Sequence, residues 1–175
     1  MIRTTLIAVL ALLAAFLIFA ATRPNSFRIE RAIEIKAPAD KIFVLINDLH
    51  RWTAWSPWEK VDPALKRAYG GLPSGVGASY AWEGNREVGA GRMEITESVP
   101  SSKILIKLDF LKPFAAHNIA EFGLAGAGDS TRVTWAMYGP SPFMAKVMGL
   151  VFNMDKMLGG QFDEGLSNLK VLAEK

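Results

Sequence analysis

The chain has 175 residues, half of them hydrophobic, with 20 Lys+Arg against 17 Asp+Glu, two His and no Cys. So much apolar content excludes a disordered chain and is enough for one well-filled core. Without Cys there are no disulfides, thiolate metal sites, iron–sulfur clusters or thiol catalysis, and two His leave little for an imidazole site, so neither metal nor cofactor is expected.

The first element is an apolar run from Leu6 to Ala21, sixteen residues without a polar side chain. As a helix, Thr4 to Thr22 would reach about 28 Å, close to the roughly 30 Å of a bilayer's hydrocarbon core. A core helix would show a polar stripe, and this run has none. A cleaved signal needs small residues at both −1 and −3; cutting after Ala21 puts Phe19 at −3, cutting after Ala20 puts Ile18 there, and only a cut after Thr22 is tolerable. Residues 1–24 are therefore predicted to be an uncleaved single-pass membrane anchor contacting lipid through residues 4–22, with a cleaved signal as the alternative, and residues 25–175 a separate domain. Basic residues flank the run on both sides, which leaves the side of the domain open. Removing the first 24 residues takes away Arg3 and Arg23 and no acid, leaving 18 basic against 17 acidic side chains. Such a near-neutral domain offers no basic stripe for phosphates, and no nucleic-acid partner is expected.

Phe27, Ile29, Arg31, Ile33 and Ile35 alternate with Arg28, Glu30, Ala32, Glu34 and Lys36, the period of a half-buried strand. Pro38 ends it, and Ile42, Phe43, Leu45, Ile46 and Leu49 then recur at helical spacing. Trp52, Trp55 and Trp58 follow at every third residue around Pro57. They suit either core bracing or, because tryptophan favours membrane interfaces, a contact with lipid. Short strand runs come next, Lys66–Tyr69, Ala78–Glu83, Val88–Val99, Ile104–Phe110, His117–Leu124 and Thr131–Tyr138, separated by Gly, Pro, Ser and Asn; they read as an antiparallel meander. From Ser141, a plausible N-cap before Pro142, apolar residues return at intervals of three or four up to Leu172 and mark a long helix. Gly159, Gly160 and Gly165 within it signal either a break or room left for something beneath.

The order amounts to an α+β domain with a curved antiparallel sheet of about seven strands and a long C-terminal helix, preceded by a transmembrane helix. Over about residues 27–173 the chain resembles the START-like, helix-grip superfamily known as SRPBCC, of the polyketide cyclase/dehydrase and lipid transport type. The resemblance is carried by Ile33, Ile35 and Pro38; by Ile42-Phe43 and Asn47-Asp48-Leu49 leading into Trp52; by Trp55, Pro57 and Trp58; by Gly75 and Gly77 before Tyr80 and Trp82; by Gly89, Gly91, Arg92 and Met93; and by Phe162, Gly165, Leu166 and Leu169. It implies a sheet gripping the C-terminal helix, with a ligand cavity between them.

No catalytic motif is found. His50 and His117 are lone histidines, Ser56 lacks a nucleophile elbow, Asp109 and Glu121 alternate with apolar neighbours and are expected to face solvent, and the glycine pairs around Gly89 and Gly126 lack phosphate-loop spacing. What remains is an aromatic and methionine-rich interior of Tyr80, Trp82, Met93, Phe110, Phe122, Trp135 and Phe162, expected to line a cavity for an apolar small molecule or lipid. The alternatives are a cyclase/dehydratase-like enzyme, with Tyr80, Tyr138 or His117 assisting enolisation in the same cavity, and a protein-interaction module.

Overall fold

A computed structural model describes residues 2–175. Helix α1 (Ile2–Ala21) is long and apolar enough to cross a membrane; the rest of the protein buries only Ala20 of it. Four residues, 22–25, link it to β1 (Ser26–Ile35). Helix α2 (Ala39–Asn47), a 3-10 turn (Leu49–Ala54) and the short α3 (Trp58–Val61) then carry the chain across the sheet. The meander follows as β2 (Lys66–Gly71), β3 (Ala78–Glu83), β4 (Ala90–Val99), β5 (Lys103–Lys112), β6 (Ala116–Ala127) and β7 (Ser130–Pro140). The seven strands lie in the order β1-β7-β6-β5-β4-β3-β2, every neighbour antiparallel, in one curved sheet, as the alternating sequence predicts.

The registers fix which loops share an end of this sheet. Ser26 faces Pro140, Phe110 faces Ala116, Ala90 faces Lys112, Glu83 faces Ala90 and Lys66 faces Glu83. The start of β1, the end of β7, the β5–β6 turn and the β3–β4 loop therefore lie together at one end, which we term proximal because α1 leads into it.

The C-terminal region departs from a single helix. It forms α4 (Phe143–Val151) and α5 (Met154–Ala173), broken at Phe152 and Asn153, where the Asn153 side chain accepts from the Lys156 N–H at 2.9 Å. The cap of α4 is Pro142, without a side-chain bond, and not Ser141. The glycines do not break anything: all three lie inside α5, and two of them seat a side chain. A β-carbon at Gly159 would strike the guanidinium of Arg31, and one at Gly165 would lie 2.7 Å from the Trp135 ring. Arg31 thus rises from the inner face of β1 to pair with Asp155 at 2.9 Å and Asp163 at 3.3 Å. At the far end of α5, Glu174 accepts from the Lys36 N–H and Lys170 reaches the Glu34 carbonyl, so the helix runs from the proximal to the distal end of the sheet.

The core lies between α5 and the inner face of the sheet, and Trp52 and Trp55 belong to it. Their indole N–H groups donate to the carbonyls of Ile46 at 2.9 Å and Leu45 at 3.1 Å, tying the 3-10 turn onto α2. This corrects the lipid-contact reading of the three tryptophans: two are buried and Trp58, half-buried, faces inward.

Candidate functional site

A cavity of about 240 Å³ separates α5 from the sheet. Its floor is built by the inward residues of five strands: Tyr80 and Trp82 on β3, Met93 on β4, Ile106, Leu108 and Phe110 on β5, Ala120 on β6, and Trp135 and Met137 on β7. Leu158 and Phe162 of α5 form the roof, and Trp52, Ser56, Trp58, Glu59 and Leu65 one side. Glu87 and Val88 of the β3–β4 loop complete the wall.

The structure therefore brings Tyr80, Trp82, Met93, Phe110, Trp135 and Phe162 to one cavity. Phe122, expected with them, is placed elsewhere. It is fully buried behind Trp135, whose ring is stacked between Phe122 at 4.9 Å and Phe162 at 4.5 Å, so Trp135 screens it from the cavity. The edges of Trp52 and Trp55 meet Phe122 on its other sides.

The polar part of the wall centres on Glu59, which the sequence did not single out. One carboxylate oxygen accepts from the Tyr80 hydroxyl at 3.0 Å and the other from Arg67 Nε at 2.6 Å. Burial, and then the adjacent Glu59 charge, push the Tyr80 phenol well above its usual range, so it remains a protonated donor. Glu59 holds Arg67 above its ordinary value as well, chiefly through their hydrogen bond. A carboxylate has about four acceptor positions, so two bonds leave capacity for a ligand's O–H or N–H. The indole N–H of Trp135 is buried and meets no hydrogen-bond partner among the described residues. A buried unpaired donor costs about 1–3 kcal/mol, and an acceptor reaching it would recover that.

His117 and Tyr138 lie on the opposite face of the sheet. Tyr138 sits under the Arg28 guanidinium, 5.0 Å from it, and its hydroxyl is pushed up by burial and by Glu121. His117 Nδ1 lies 2.6 Å from Asp109, which also pairs with Arg92 and Lys107. Asp109 points outward, as alternation requires, but it does not meet solvent: those three side chains cover it until only 2% of it is exposed. The His117 bond first, then Arg92 and Lys107, hold its carboxyl below the usual carboxylate range. Neither outer group can assist a reaction in the cavity.

A helix gripped by an antiparallel sheet over an aromatic cavity defines a fold class found in many solved proteins. The chain belongs to the family described as polyketide cyclase / dehydrase and lipid transport, whose model matches residues 26–174. The structure resembles a Chromobacterium violaceum protein at TM-score 0.60 and 15% identity, covering 87% of this chain and 99% of that one. It resembles the di-domain ARO/CYC BexL from the BE-7585A biosynthetic pathway at TM-score 0.65 and 16% identity, covering 90% of this chain and 53% of that one. A Thermobifida fusca protein matches at TM-score 0.60 and 19% identity, covering 82% of this chain and 90% of that one. At these identities the likeness is one of fold. No curated protein matches the sequence.

Proposed function

We propose that residues 1–24 anchor the protein in a membrane and that residues 25–175 bind a small apolar molecule bearing one hydroxyl or similar donor. The observation that carries this reading is a cavity walled almost wholly by aromatic and aliphatic side chains, with Glu59 and Tyr80 converging on it. An engineered cavity of about 150 Å³ holds benzene, so 240 Å³ suits a fused ring pair or a short acyl segment of about ten non-hydrogen atoms. The titratable groups in the wall are Glu59, Tyr80 and Glu87, and one oxygen of Glu59 is engaged by Arg67. That set favours holding a ligand over transforming it.

The test uses 1-naphthol and naphthalene as probes of matching size, titrated into full-length protein carrying ¹⁵N-labelled tryptophan. Saturable shifts are expected at the Trp82 and Trp135 indoles, while Trp55, which does not line the cavity, stays in place. A hydrogen bond to a charged group contributes about 1.5–3 kcal/mol. Glu59→Gln keeps an acceptor but loses the charge, and should therefore weaken 1-naphthol by up to about tenfold and leave naphthalene unchanged. Shifts that never saturate would remove the binding reading.

A further inference from the structure

Helix α4 is apolar on its outer side as well as its inner one. Met144, Met148 and Val151, spaced i, i+4 and i+7, lie along one side of it and are 67%, 44% and 64% exposed. The half-buried side holds Val147, Leu150 and its one charged residue, Lys146. A helix resting on a water-soluble domain carries polar side chains on its outer side. The apolar surface continues through exposed Phe152, Met154 and Met157 into the first turns of α5. Phe114, 79% exposed, in the β5–β6 turn and Leu111 at the end of β5 add to it at the same end of the sheet.

Three connections bear on what covers this surface. First, α4 packs on α1, where half-buried Phe16 and buried Ala20 lie one turn apart on one face, so α4 lies alongside the last turns of the apolar helix. Second, Asn25 in the linker holds α4 and the segment leading into it: its side chain accepts from Lys146 Nζ at 2.6 Å and its carbonyl from the Ser141 N–H at 2.7 Å. Third, the cavity is displaced toward this proximal end. Val88, Phe110, Met137 and Leu158 line it, whereas Ile95, Ile104, Leu124 and Val133 toward the distal end are closed core.

We propose that the proximal end of the domain rests on the same bilayer that α1 enters, with the outer face of α4 and the Phe114 turn immersed at the lipid interface. The cavity then lies against the membrane, and its ligand is a molecule dissolved in the lipid phase that enters without crossing water. This rests on the reading of α1 as a membrane anchor.

The native chain has no cysteine, so single labels can be placed freely. Leu12→Cys, Phe114→Cys, Met148→Cys and Ser102→Cys, the last in the exposed distal β4–β5 turn, are each labelled with nitrobenzoxadiazole in full-length protein reconstituted into phosphatidylcholine vesicles. The expected result is blue-shifted emission, with loss of fluorescence on adding doxyl-labelled phosphatidylcholine, at 12, 114 and 148 but not at 102. Quenching at 12 with none at 114 or 148 would overturn the docking and leave the anchor standing. No quenching at 12 would remove the anchor and the docking with it. A blue shift at 148 without lipid quenching would mean that protein, such as a second copy of the chain, covers the face, and would also overturn the proposal.

Discussion

Gly165→Ala should destabilise the protein, although alanine is the better helix former. Gly165 lies within α5, where glycine costs about 1 kcal/mol relative to alanine, so propensity alone favours the change. The new methyl would lie 2.7 Å from Cζ3 of Trp135 and 3.1 Å from Cδ of Pro57, against an ordinary carbon–carbon separation of about 3.5–4.0 Å. The indole has little room to yield, because Phe122 and Phe162 are stacked on its two faces. Overpacking of this kind costs about 1–3 kcal/mol. Gly160→Ala is the internal control: it sits in the same helix, and a β-carbon there meets nothing within 4 Å. The helix contribution is common to both variants, so the difference between them reports the clash alone. At about 2–4 °C per kcal/mol for a protein of this size, a clash of about 2 kcal/mol separates the melting temperatures by roughly 4–8 °C. Thermal unfolding of the detergent-solubilised protein, followed by near-ultraviolet circular dichroism, measures it. If Gly165→Ala melted with or above Gly160→Ala, the seating of Trp135 under α5 would be wrong.

Two further outcomes follow from single contacts. Because the Asp109 carboxyl is held below its unfolded value, near 3.9, its ionised contacts stabilise the fold above about pH 4, and that contribution is lost as pH falls through the lower, folded value. His117→Ala should move the carboxyl inflection of Asp109 upward in a ¹³C titration and narrow this acid-side advantage; an unmoved inflection would show that the His117 bond is unimportant. Thr131 is fully buried and donates to the Ala37 carbonyl at 2.8 Å, so Thr131→Val should cost about 1–3 kcal/mol in urea unfolding, with Thr131→Ser retaining the bond and losing less. Equal losses would refute the role given to the hydroxyl.

The strands were legible because a two-residue period assigns each side chain to a face, and that sufficed for Tyr80, Trp82, Met93, Phe110 and Trp135. Periodicity does not reveal depth. It placed Asp109 on the outer face but not beneath Arg92, Lys107 and His117, and it grouped Phe122 with residues from which Trp135 separates it. The break between α4 and α5 was hidden because apolar residues keep a spacing of three to four across Phe152 and Asn153. Glu59 was missed because α3 is a single turn, too short for a pattern, and its partners Arg67 and Tyr80 lie on strands that meet it only in the folded chain. The available signal was a lone carboxylate directly after Trp58 in an otherwise aromatic word. The outward apolar face of α4 was overlooked for another reason: helical spacing reports that a face exists, not what it faces.

The four residues between α1 and β1 bear on how far the domain can travel. Fully extended they span at most about 14 Å, and Asn25 is already committed to α4. On the anchored reading the protein is a fixed station and not a ferry: it cannot carry cargo across an aqueous gap between two membranes, and any transfer needs an acceptor that comes to the same surface.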